Sequence, residues 1–186
     1  GEHDPAFYQL INTKGVKFLN LDLAKPESYV NLFEERDFIY NCVALNGTQN
    51  FYSIPLKVIE NSALPSFYAA KFASLAKCKR YTYFGSSESY AGGFNLGLID
   101  VPTPESVPLV IPNINEIRWC YAGSKTLGEL AAFAAKEENK LDFQILRIHN
   151  IYGPRMGDKH VVPDLIKKFI KNNFEVHGVN ESRSFL

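Results

Sequence analysis

The apolar positions of the 186-residue chain fall into short alternating or continuous runs separated by longer stretches with helical spacing. Val16–Leu21 alternates after a turn at Lys14-Gly15 and predicts a strand closed by Asp22. Pro26-Glu27-Ser28 places proline and an acid in a first turn, which predicts a helix to about Glu35. Asp37–Ala44 is apolar on both faces, as expected of a strand inside a parallel sheet. A helical stretch from Ile54 to Ala76, interrupted near Pro65, leads to a third strand at Arg80–Phe84. Residues 91–116 carry Gly92, Gly93, Gly97 and four prolines and predict a long functional loop. A helix from Tyr121 to about Glu138, a strand at Phe143–Ile148, a helix at Val162–Lys171 and a short strand at Phe174–Gly178 complete the order. Strands alternating with helices, without repeats, predict a doubly wound parallel α/β sheet. Ligands of such sheets bind outside the carboxyl ends of the strands. The polar stretches at Asp22, Val43-Ala44, Ser86–Glu88 and Asn150 all follow predicted strands. Each alone is an ordinary turn or cap; their common position marks a site.

Composition narrows the function. Twenty basic residues balance twenty acidic ones, so no nucleic-acid-binding surface is expected. No apolar run approaches a membrane span and no leader is visible, which predicts a cytoplasmic protein without a membrane partner. Cys42, Cys78 and Cys120 are widely spaced and read as reduced thiols. The four histidines lack metal-ligand spacing, so no metal is expected.

Tyr121 and Lys125 are four apart, one helical turn on one face. An ammonium beside a phenol favours phenolate, so the pair predicts a tyrosine able to exchange a proton near neutral pH. Chance alone gives about one Tyr-x-x-x-Lys in such a chain, so the weight comes from context. Glu88, two residues after Ser86, reads on the residues alone as a cap or a paired charge near the loop. Arg118-Trp119, just before Tyr121, reads as packing.

Taken in order, these motifs resemble the extended short-chain dehydrogenase/reductase family, in its branch of NAD-dependent nucleotide-sugar epimerases, dehydratases and decarboxylases. The resemblance implies a Rossmann-like domain over 1–160 and the start of a substrate-binding region over 161–186. It implies NAD as cofactor, contacted by Asp22 and Leu23, by Cys42, Val43 and Ala44, by Asn61, and by Tyr121 and Lys125. Ser86, Glu88, Tyr121 and Lys125 would be catalytic, and Ser87, Asn150 and Arg183 would hold a nucleotide-diphosphate sugar. The implied reaction runs through a 4-keto sugar and ends as an isomerase or lyase step, in a homodimer. One departure stands out: no Gly-x-x-Gly-x-x-Gly turn is present. It suggests a chain lacking the family's first βαβ unit and most of its C-terminal substrate domain. The alternative is a non-catalytic truncated or degenerate relative that binds a nucleotide-sugar or a protein partner.

Overall fold

The computed structural model describes residues 4–32, 36–154, 156–157, 160–172 and 175. Its centre is a three-stranded parallel sheet of β1 (Phe38–Asn41), β2 (Arg80–Phe84) and β3 (Phe143–Leu146), in the order β1-β2-β3. Tyr81 lies opposite Ile39 on one side and Phe143 on the other. Parallel neighbours need long crossovers. The first runs through α2 (Thr48–Ser53) and α3 (Pro55–Leu75), the second through α4 (Glu88–Asn95), a loop and α5 (Cys120–Asn139). Both crossovers step the same way across the sheet, and α3 and α5 pack on each other and on β2. Among the described residues, no helix is long and apolar enough to cross a membrane.

The core explains this layer. Tyr81 and Tyr83 are fully buried and meet alanines of both helices, Ala69, Ala70 and Ala73 on α3 and Ala132 and Ala135 on α5. Small helical residues leave room for two phenols, whose hydroxyls must then find partners. Asn41 Nδ2 donates to Tyr81 at 3.1 Å. The Tyr83 hydroxyl accepts from Ser66 Oγ at 3.2 Å and donates to the Lys125 carbonyl at 3.2 Å. This joint has no room for a side chain at position 128, where a Cβ would run into the Tyr83 hydroxyl. A second cluster of Phe51, Val58 and Tyr121, with Ala44, Leu45 and Cys120, lies where β1 ends.

Several predicted elements are corrected. Val16–Leu21 is not a strand: it has no strand partner among the described residues, and Val16, Phe18, Leu19 and Leu21 are exposed. Alternation supplies a face, but a strand also needs a neighbouring backbone. The segment instead touches α1 (Pro5–Ile11), where Phe7 meets Phe18 edge-on at 5.3 Å. Asp4 caps that unpredicted helix by accepting from Ala6 N–H at 2.9 Å. Pro26–Leu32 is a 3-10 helix and not an α-helix. Among the described residues β1 pairs on one side only, with β2, and Phe38 and Tyr40 are exposed. α3 runs unbroken through Pro65, which is fully buried. An interior proline costs about 3 kcal/mol, here offset by packing along a helix of 21 residues.

The expected loop begins later, because Glu88–Asn95 is helical despite Gly92 and Gly93. Gly92 is needed there for close approach: a Cβ would collide with the Val110 carbonyl as the following loop folds back over α4. α6 (Val161–Ile170) matches its predicted helix closely. The predicted strand at 174–178 lies outside the described residues, except for Glu175.

Candidate functional site

The carboxyl ends of the three strands deliver residues 42–45, 85–88 and 147–150 to one edge of the sheet. Asp22 is not among them, because the segment before it is not a strand. α5 presents Tyr121, Lys125 and Glu129 at successive turns toward this edge, only 6%, 3% and 3% exposed. A lysine and a glutamate so deeply buried on one helix are unusual, since desolvating a charge is costly.

Tyr121 stacks on Phe51 with ring centroids 5.0 Å apart and planes 15° from parallel. Burial pushes its phenol above the ordinary value, a hydrogen bond with Ser86 pulls it down, and the Glu88 carboxylate pushes it up again. The sequence predicted a phenol lowered by Lys125; the direction is the opposite. Lys125 is turned to the strand end, where its Nζ donates to the Phe84 carbonyl at 2.7 Å. That Nζ is 5.2 Å from the centre of the Tyr83 ring and 5.9 Å from that of Tyr121. Burial lowers the ammonium to about 8, against a smaller raising effect from Cys42. The Cys42 thiol, at the end of β1, is raised by burial and lowered in part by Lys125.

Ser86 Oγ accepts from the Glu88 N–H at 3.2 Å, which ties Ser86 to the start of α4. The Glu88 carboxylate, half-buried, faces Arg118 Nη2 at 3.5 Å. The Arg118 guanidinium lies over the Trp119 ring, 4.4 Å from its centre. Ser87 is fixed through its backbone, its N–H donating to the Ile148 carbonyl at 3.0 Å. Val43 N–H donates to Asn41 Oδ1 at 3.1 Å, and Ala44 packs in the Tyr121 cluster. Asn150, half-buried, lies just past the end of β3.

The remaining expected residues lie elsewhere. Asp22 sits in an exposed turn, where it accepts from Ala24 N–H at 3.1 Å and faces Lys25. Leu23 packs on the Tyr29–Tyr81 core and not on the Tyr121 cluster. Asn61 returns its amide to the Lys57 carbonyl at 2.9 Å in its own helix. Its neighbour Ser62 reaches the end of β1 instead, accepting from Leu45 N–H at 3.1 Å. Arg183 lies outside the described residues.

Two residues missed in the sequence stand beside the pair. Glu129 and Arg147 form a fork: Arg147 Nε meets Glu129 Oε1 at 3.0 Å and Nη2 meets Oε2 at 2.7 Å. Their bond, with that from Tyr90, holds the Arg147 guanidinium well above its usual range. The signal for Glu129 was present, since it continues the four-residue spacing of Tyr121 and Lys125. Arg147 is 18 positions away and carried no local signal. Among the described residues, no group of three His, Cys, Asp or Glu side chains is placed to hold a metal.

Comparison with known proteins bears on this edge of the sheet. A model of the "NAD dependent epimerase/dehydratase family" matches residues 3–186. The chain is similar to UDP-D-apiose/UDP-D-xylose synthase 1 of Arabidopsis thaliana, 27% identical over 175 residues, covering 84% of the chain and 45% of that protein. It is also similar to dTDP-D-glucose 4,6-dehydratase of Dictyostelium discoideum, 25% identical over 180 residues, covering 91% of the chain and 40% of that protein. The chain thus spans about half the length of the curated relatives it matches. Among solved structures, it shares its Rossmann fold with a UDP-N-acetylglucosamine 4-epimerase from Methanobrevibacter ruminantium M1. The TM-score is 0.79 at 22% identity, covering 94% of the chain and 55% of that structure. A dTDP-glucose 4,6-dehydratase from Streptomyces venezuelae with NAD and TYD bound gives 0.72 at 20% identity, covering 89% and 48%.

Proposed function

Because the chain belongs to the NAD dependent epimerase/dehydratase family, we propose that it carries the chemical centre of an NAD-dependent enzyme that modifies a nucleotide-diphosphate sugar through a 4-keto intermediate. The observation that carries this reading is the buried Tyr121–Lys125 pair at the carboxyl ends of the strands, with Ser86 near enough to pull the phenol down.

The residues present suit the nicotinamide end of the cofactor. Lys125 is a buried ammonium with three donors, and its Nζ has one recorded hydrogen bond, to the Phe84 carbonyl. Such a group is matched to the hydroxyls of a ribose. The backbone at Cys42–Ala44 borders the same edge and would flank the dinucleotide. NAD supplies a hydride acceptor that later returns what it took.

Tyr121, once ionised, would accept the proton of the sugar hydroxyl as that carbon gives its hydride to the cofactor and becomes a carbonyl. Ser86 would donate its single proton to the same sugar oxygen. Lys125 holds the ribose edge and adds positive charge. The new carbonyl acidifies the neighbouring carbon, and Glu88 would act there in elimination or decarboxylation. Arg118 faces its carboxylate at 3.5 Å. Ser87 and Asn150 would position the sugar and Arg183 its diphosphate. Asp22, Leu23 and Asn61 are carried as cofactor contacts on the family resemblance alone.

Residues 1–160 are proposed as part of the cofactor domain and 161–186 as the start of the substrate region. The protein would work in the cytoplasm as a homodimer through α3 and α5. Their outward faces expose Leu64, Phe67, Leu127 and Leu130, and a groove of about 240 Å³ is lined by Ile59, Ala63, Trp119 and Leu127. A non-catalytic relative would keep the fold but has no use for a buried Tyr121–Lys125 pair beside Ser86. Native mass spectrometry of the full-length protein should find retained dinucleotide, and mixing with nucleotide-sugars should give product without net NADH. A protein that holds no dinucleotide and turns over none of these sugars would refute the reading.

A further inference from the structure

The Arg147 guanidinium uses every edge. One side forks onto Glu129 of α5. The other side, Nη1, donates to the Tyr90 hydroxyl of α4 at 2.9 Å and to the Glu105 carbonyl of the 97–116 loop at 2.8 Å. The guanidinium also sits 4.9 Å from the centre of the Tyr90 ring. The next residue, Ile148, accepts from Ser87 N–H at 3.0 Å. Arg147 and Ile148 are thus one joint where the end of β3 meets the helix that follows Ser86 and carries Glu88, the helix carrying Tyr121–Lys125 and the loop that leads back to Arg118.

The pair is poorly explained by stability. The Glu129 side chain is 4% exposed and that of Arg147 19%. Burying such a pair costs roughly what its attraction returns, and well-packed apolar residues often serve better. What a planar fork supplies is fixed distance and angle. We infer that Arg147 is a positioning residue that fixes Glu88 of α4, and Ser86 just before it, against Tyr121 and Lys125 on α5, acting through Glu129, Tyr90 and the Glu105 carbonyl. The inference rests on the function proposed above for that site. It concerns how the reacting groups are held, since Arg147 touches none of them.

The test uses the full-length, cofactor-loaded protein with Arg147→Lys, which keeps the charge and loses the fork, and Tyr90→Phe, which removes one bond and keeps the ring. Misplacing reacting groups by about 1 Å can cost about 100-fold. Arg147→Lys should therefore lower kcat by about 10- to 100-fold while KM stays within about twofold. Tyr90→Phe should lower kcat by about threefold to tenfold. Arg80→Gln, which breaks an exposed ion pair at the other end of β2, should leave kcat unchanged.

Amide hydrogen exchange provides an arm independent of turnover. In Arg147→Lys, protection should fall in 88–95 and stay unchanged in β2 and in the rest of α5. A uniform loss of protection, or a lowered melting temperature with unchanged kcat in the folded protein, would make Arg147 merely structural and overturn the inference. A wild type that turns over no nucleotide-sugar would sink the proposed function by itself. The exchange pattern would still decide whether Arg147 positions α4.

Discussion

The two ends of the sheet handle charge in opposite ways. At the amino end, Lys79 meets Asp37 at 2.7 Å with side chains 72% and 65% exposed, and Arg80 meets Asp142 at 2.9 Å with 53% and 54% exposed. At the carboxyl end, Arg147 and Glu129 pair out of water, and Lys125 is buried with a backbone carbonyl as its recorded partner. Exposed pairs contribute about 0.2–1 kcal/mol and are screened by salt. Buried charges cost several kcal/mol to desolvate. The amino end is therefore what the fold needs for solubility and alignment. The carboxyl end keeps charges that folding alone would discard, which is the physical mark of a working site.

The comparison is broken most severely at Tyr121. Tyr121→Phe in the full-length protein should lower turnover by about 100- to 10,000-fold, the usual worth of a placed proton-transfer group. Stopped-flow absorbance would read this, and the melting temperature should hold, since the ring still stacks on Phe51.

Lys125→Met should separate function from stability. The folded ammonium titrates at about 8 against an ordinary 10.5. The unfolded chain therefore binds more protons between those values, and wild-type stability from this group rises as pH rises from about 8 to 10.5. Below about 8 the buried charge costs on the order of 3 kcal/mol. The variant should be inactive, more stable at pH 7 by about 2 kcal/mol, and should lack that alkaline gain. Urea unfolding at pH 7 and pH 10 checks all of this except activity.

Glu88→Gln acts more gently. It removes a negative charge that disfavours phenolate at Tyr121, so the alkaline rise in the first oxidation step should move to lower pH. A pH–rate profile that stays in place would remove Glu88 from the electrostatics of the pair. Smallest of all, Arg80→Gln at the amino end should change stability by at most about 1 kcal/mol and do so less in high salt.

Sequence patterning read the centre of the molecule well and its margins poorly. β2 was legible to the residue because Tyr81, Thr82 and Tyr83 form a β-prone run buried on both faces. Val16–Leu21 alternates and has no neighbouring strand among the described residues, and pairing is invisible in a local window. α4 was hidden behind Gly92 and Gly93, whose role is to admit the Val110 carbonyl and not to break a helix. In the site, Ser86, Glu88, Tyr121 and Lys125 were legible because helix spacing and strand ends place them together. The direction of the Tyr121 shift was not, because burial, the largest influence on the phenol, comes from tertiary packing and not from helix spacing. The fork of Arg147 with Glu129 joins a strand end to a helix and has no one-dimensional signature.

The most direct measurement is rapid mixing of the full-length, NAD-loaded protein with a panel of UDP- and dTDP-hexoses, following absorbance at 340 nm and the product by mass. Absorbance should rise and decay with a changed sugar left behind, and Tyr121→Phe should show no rise. A flat trace with every sugar, or a rise that persists as stoichiometric NADH, would contradict a 4-keto intermediate formed and consumed at Tyr121 and Lys125.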